Sequence, residues 1–149
     1  MREIEIVDRA PVLVVGMPVL AGFHELGTLV PAAWRALSRS LGDDDRPLAE
    51  LSVDLGDGRY HETVGVLVPL EDAARVRVPG AVGSLVPGGA WAQMVHDGPV
   101  HTIAETFGRL LAWAAEQGAR PGPHKLDVGY RLDGAAERHT LAVELSPAP

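Results

Sequence analysis

Residues 88–118 read GGAWAQMVHDGPVHTIAETFGRLLAWAAEQG: a strand, a tight break and a long amphipathic helix, in that order. The strand covers 90–95, between the turn signals Gly88-Gly89 and Asp97-Gly98-Pro99. Thr102 followed three residues later by Glu105 has the pattern of a capping box, hydroxyl and carboxylate each taking an orphan backbone N–H. Ile103, Phe107, Leu110, Leu111 and Ala114 then recur at helical spacing and define one buried face. Gly118 stops the helix and Pro121 prevents its resumption.

Working outward, the charged alternation at the start predicts a strand over 3–7. A second follows over 12–15, pairing with the first or extending its sheet, and is interrupted by Gly16, Pro18 and Ala21-Gly22. Leu26, Val30, Ala33, Leu37 and Leu41 share a helical face, with Thr28 expected as cap and Pro31 in the first turn, where its missing N–H would be unbonded anyway. Gly42-Asp43-Asp44-Asp45 ends this helix in an acidic loop. Residues 51–55 and 62–68 form a hairpin around Gly56-Asp57-Gly58, closed by Pro69. Residues 70–87 read as a connector with a short strand over 75–78. Beyond the opening stretch, 126–132 and 139–145 form a second hairpin with a turn at Gly134, closed by Pro147.

The two halves match. Thr28 and Thr102 are 74 apart, as are Arg35 and Arg109; Gly42 and Gly118 are 76 apart, Pro69 and Pro147 78. One such pair arises easily by chance; four in order with a slowly drifting offset do not. The expected fold is therefore a single α+β domain: two βαββ units related by a pseudo-two-fold, with antiparallel sheets, two main helices and a central groove. Repeat one covers about 1–70, the connector 71–87 and repeat two 88–149. Neither half covers its own sheet, so the two must pack together, and the groove at their junction is the natural ligand site.

The strand, the DGP break, the helix with Arg109, Leu110 and Trp113, and the later strand bearing Tyr130 together resemble the GyrI-like small-molecule-binding domain. The same module is the effector-binding domain of AraC-type and MerR-type transcription regulators. The resemblance extends over 88–147. It implies that Trp91 is a ligand-contacting aromatic, that His96 stands where another such ring is common, that Trp113 packs, and that Tyr130 is the family's strand tyrosine. The family often carries a glutamate two residues before that tyrosine, where this chain has Val128. Selectivity for cations then requires Asp127 to enter the groove through a bulge, or Glu144 to reach in. On helical geometry Trp34 is the groove-facing helix tryptophan. Leu26 and His139 complete the expected ligand-binding set of Leu26, Trp34, Trp91, His96, Asp127, Val128, Tyr130, His139 and Glu144.

Composition bounds the function. The 149 residues suit one soluble domain, and a net charge of −7 without a clustered basic face argues against a nucleic-acid partner. No cysteine is present, which excludes disulfides and thiolate chemistry. No apolar run approaches the ~20 residues of a membrane span, and no signal-peptide pattern opens the chain, so a cytoplasmic protein is expected. Nucleophile-elbow, P-loop, zincin and dinucleotide motifs are missing. His96 and His101 form a poor metal pair; no metal, cofactor or catalytic residue is expected. No helix-turn-helix precedes the domain, so the expected form is stand-alone: a protein that senses or sequesters planar aromatic ligands, cations among them. Two alternatives stand beside it. One, implied by the resemblance, is a hydrolase of cyclopropane-bearing natural products with a groove carboxylate as base. The other is a protein inhibitor of a larger enzyme, working through its acidic surface.

Overall fold

The computed structural model describes residues 3–42, 44–132 and 138–146. The expected turn at Gly134, the closure at Pro147 and Asp43 of the acidic loop lie outside the described residues. Among these residues are strands β1 (Glu5–Arg9), β2 (Val12–Gly22), β3 (Leu48–Asp54), β4 (Arg59–Pro69), β5 (Val82–Val86), β6 (Gly89–Asp97), β7 (Arg120–Tyr130) and β8 (Arg138–Ser146). The helices are α1 (Phe23–Leu41) and α2 (Ile103–Glu116).

The strands form one antiparallel sheet, not two, in the order β1-β6-β8-β7-β3-β4-β2-β5. That order reads alike from either end: β7, β8 and β6 on one side answer β3, β4 and β2 on the other. The outermost strands are exchanged. β1 precedes β2 in the chain but pairs with β6, and β5 precedes β6 but pairs with β2. β1 therefore does not pair with β2, and the strand within 71–87 is β5, not residues 75–78. Leu70–Arg75 instead winds into a 3₁₀ turn.

The short links make the sheet curl. β1 and β2 stand six strand spacings apart, about 29 Å in a flat sheet, yet three Cα steps from Arg9 to Val12 reach at most about 11 Å. The same holds from Val86 to Gly89. The sheet folds until its ends meet, and Val14, Val86 and Trp91 from the ends join Ala49, Leu51, Leu126 and Ala142 from the middle in one buried cluster on its inner face. The helices cover the other face. Leu37 of α1 packs on Val15, Leu48, Val66 and Val68; Leu110 of α2 packs on Ala92, Met94, Leu141 and Val143.

Several local expectations are corrected. β2 runs unbroken through Gly16 and Pro18 to Gly22. Gly16 stands opposite Gly65 of β4, and a Cβ on Gly16 would lie 1.9 Å from the Val64 carbonyl oxygen, so glycine here permits close strand approach rather than a break. Pro18 lies beyond the end of β5, where β2 has a free edge that tolerates a missing N–H. α1 starts at Phe23, with the Gly22 N–H donating to Glu25 Oε1 at 3.1 Å. Thr28 is thus inside the helix and Pro31 in its interior, on a side exposed to water. Thr102 makes no side-chain cap; its hydroxyl donates to the Pro99 carbonyl at 2.7 Å in the turn Val100–Thr102 that leads into α2. β7 begins six residues early, absorbing Pro121 through a register shift.

Candidate functional site

A groove of about 340 Å³ lies between α1 and α2, floored by β3, β4 and β7 where the two halves join. Phe23 and Leu26 of α1 form one wall; Ile103, Ala104, Phe107, Gly108 and Leu111 of α2 form the other. An outer lobe of about 650 Å³ shares this lining and extends to Val30, His24 and His101. The exposed Phe23 ring meets Tyr60 edge-on at the mouth.

The floor is polar, and strand register builds it. Side chains alternate across a sheet, so the inner-face residues Ala49, Leu51 and Val53 leave Glu50 and Ser52 facing the groove. Ser52 pairs with Lys125 on one side and Glu62 on the other; Glu50 pairs with Asp127; Leu48 pairs with Tyr130. Between the last two pairs β7 advances two residues, from Val128 to Tyr130, while β3 advances one. The extra residue is Gly129, at φ 132°, a bulge that places Tyr130 on the same side as Asp127.

These groups interlock. Trp34 Nε1 points at Glu50 Oε2 at 3.5 Å, and its indole lies over Tyr130 with centroids 4.7 Å apart. The Tyr130 hydroxyl lies near enough to both Glu50 and Asp127 to interact with each. Asp127 Oδ1 lies 2.6 Å from Nδ1 of buried His139, whose ring meets Tyr130 edge-on at 4.8 Å. Ser52 donates to Glu62 Oε1 at 2.8 Å, whereas the buried Glu62 Oε2 has no partner among the described residues. Burial, and then the charge of Asp127, raise the Glu50 carboxyl above the usual range. Burial, then the charge of Glu50, push Glu62 up to about 8. Burial, then Glu50, also raise the Tyr130 phenol. Lys125, held over the Phe107 ring at 6.0 Å, opposes the rise at Glu62 without cancelling it.

Of the residues expected from the sequence, Leu26, Asp127 and Tyr130 line the groove. Trp34 and His139 stand directly behind the floor, holding Glu50 and Asp127. Four lie elsewhere. Trp91 is wholly buried on the inner face, its Nε1 donating to the Pro87 carbonyl at 3.0 Å. Val128 packs against the same inner cluster, because the bulge moves Tyr130, not Val128, to the groove side. His96 is buried under α2, its Nδ1 bonded to Thr106 Oγ1 at 2.8 Å. Glu144 is paired with His124 at 3.0 Å. In the acidic loop, Asp44 is tied to Arg46. The Trp91 placement gives a test: Trp91→Phe should lower stability by about 1–2 kcal/mol, through a lost hydrogen bond and lost volume. Ligand affinity should stay the same, as checked by thermal melting and titration of one preparation.

Glu50, Glu62, Ser52, Lys125 and Phe107 were not anticipated. The duplication held a signal for them: Glu50 and Asp127 are 77 apart, between the 76 and 78 of the neighbouring landmarks. Among the described residues no group of three or more His, Asp or Glu is disposed to hold a metal ion, and no helix is long and apolar enough to cross a membrane.

No family model matches the chain, and no curated protein matches it. Solved structures do. An integron cassette protein of the Vibrio cholerae mobile metagenome superposes with a TM-score of 0.71 at 10% identity, over 96% of this chain and 95% of that one. SAV2435 bound to tetraphenylphosphonium gives 0.62 at 10% identity, covering 97% and 94%. A hydrolase encoded by lin2189 from Listeria innocua gives 0.60 at 14% identity, covering 97% and 92%. Superposing on these structures over nearly its whole length, the chain has the GyrI-like fold.

Proposed function

We propose that this protein binds amphipathic aromatic cations in the groove between α1 and α2, as a stand-alone module that senses or sequesters them. One observation carries the reading. An apolar, ring-bearing groove has three acids, Glu50, Glu62 and Asp127, on its floor, against one lysine among the described lining residues. Apolar walls bury the body of a flat ligand, and a carboxylate in a low-dielectric recess attracts a cation far more strongly than the same charge in water. SAV2435, of the same fold, was solved with tetraphenylphosphonium. Asp127 occupies the floor by its regular pairing with Glu50, and the bulge at Gly129 brings Tyr130 beside it, so this chain has a groove carboxylate despite Val128.

The test is a fluorescence titration with tetraphenylphosphonium beside a neutral tetraphenyl analogue. The cation should bind at micromolar strength, about −8 kcal/mol, and the neutral compound at least tenfold more weakly. The quench should vanish in Trp34→Phe, since Trp34 alone of the three tryptophans touches the floor acids. Equal affinity for both compounds would overturn the reading. A hydrolytic role is the second reading, favoured by Glu62 holding a proton near neutrality beside an apolar surface, as a general acid–base group requires. Conversion of a cyclopropane-bearing electrophile by wild type but not by Glu62→Gln would establish it.

A further inference from the structure

The two halves give the acids at their seam different partners. Glu50 and Asp127 pair across the seam and are also each other's equivalents in the duplication, so the pseudo-two-fold passes between them. One strand outward on each side stands a second group, Glu62 beside Glu50 and His139 beside Asp127, again 77 apart. His139 gives Asp127 a ring nitrogen at 2.6 Å, a contact closed to solvent on both sides. Glu50 has another acid in the corresponding place. The donors around that acid pair are few. The Trp34 indole is 3.5 Å away, the Tyr130 hydroxyl is shared with Asp127, and Ser52 serves one oxygen of Glu62, leaving Glu62 Oε2 buried and unpaired among the described residues. At neutral pH two adjacent carboxylates in a recess resist joint ionisation; one keeps a proton or a cation comes between them.

We propose that Glu50 and Glu62 share one proton in the empty groove and release it when a cationic ligand arrives, so that binding exchanges one proton for one cation. This rests on the binding reading above and adds its charge balance. The other groups facing the pair leave the proton in place. Lys125 on β7 favours ionisation but is held over Phe107 on the opposite wall. Asp127 on β7 favours protonation of the pair, and His139 on β8 stands behind Asp127, against it at 2.6 Å. α1 and α2 present only apolar side chains and the Trp34 indole, with His24 and His101 at the outer rim. Permanent cations and protonated amines should both displace the proton; a neutral ligand should not. Affinity for a permanent cation then rises by up to about tenfold per pH unit while the pair is protonated, and levels off once it is ionised.

Tetraphenylphosphonium has no titratable group, so any proton released on its binding comes from the protein. Calorimetric titrations at pH 7 in two buffers of different ionisation heat should give close to one proton released per cation for wild type, and none for Glu62→Gln. Binding with the same heat in both buffers would overturn the exchange while leaving the binding reading intact; failure to bind would overturn both. The shared proton has its own readout: the infrared carbonyl stretch of a protonated carboxyl in the ligand-free protein at neutral pH. It should be present in wild type and missing from Glu62→Gln and Glu50→Gln; its absence from wild type would overturn the proposal whatever the calorimetry gives.

Discussion

Glu62→Gln should stabilise the protein in alkaline solution and change it little in acid. Unfolded, the Glu62 carboxyl titrates near the ordinary value of about 4.3; folded, burial and the charge of Glu50 push it up to about 8. A group whose folded pKa is raised contributes its full stability below the unfolded value, and that contribution is lost as pH rises through the folded one. Wild type should therefore lose stability steadily from about pH 4 to about pH 8, and glutamine, which never ionises, should not. Every tenfold weakening of an acid on folding corresponds to about 1.4 kcal/mol. Since Glu50 and Glu62 titrate together, an effect on the order of 3 kcal/mol at pH 9 is expected from Glu62, or roughly 10 °C in melting temperature for a chain of this size. Comparing the two melting curves from pH 5 to 9 cancels the acids that titrate in both proteins. Curves that stay parallel would show that Glu62 is ionised throughout.

The second large effect is on binding. Gly108 faces the groove from α2, and a Cβ there would meet no heavy atom within 4 Å. It is the counterpart of Trp34, 74 residues earlier, so one half carries an indole where the other carries nothing. Gly108→Trp should place its ring in the groove and use much of the 340 Å³. The fold should not suffer, because glycine inside a helix already costs about 1 kcal/mol relative to alanine and tryptophan is the better helix former. Affinity for tetraphenylphosphonium should fall at least about 100-fold, close to 3 kcal/mol, with melting temperature held or raised. Gly108→Ala is the control: slightly more stable, with affinity close to wild type. Wild-type affinity in the tryptophan variant would place the ligand outside this groove.

Much of the architecture was legible because it rests on short-range rules. Turn residues marked both hairpin boundaries of the first half, helical spacing marked both helices, and the drifting offset exposed the duplication. What escaped depended on partners far away in the chain. Gly16 looks like a strand breaker until Gly65 is opposite it, and the strand exchange of β1 and β5 leaves no local trace. The site was harder still. Glu50 lay outside the strand expected over 51–55, whereas β3 begins at Leu48, and an acid on a half-buried strand ordinarily faces water. Only the second helix, delivered by the other half, turns that face into an enclosed floor. Conversely Trp91, a large ring on a strand leading into α2, sits on the inner face because the sheet curls, a long-range property. The bulge at Gly129 is the intermediate case: a bulge was expected only as a route for Asp127 into the groove, whereas the one present brings Tyr130 to the side that Asp127 already faces.

The exchange of outer strands has a bearing on how the chain is made. β1 leaves the ribosome long before its hydrogen-bonding partner, from Gly89 to Gln93, has been synthesised. Until then the Glu5–Arg9 backbone waits unmatched, and the leading half cannot lock into its mature shape ahead of the trailing one. Folding is thus a joint, late event dominated by distant contacts, which are slow to form. Tags or fusions that hold back β1 should cripple the opposite half of the molecule, and cutting the chain between the two halves should yield fragments that are soluble only when mixed.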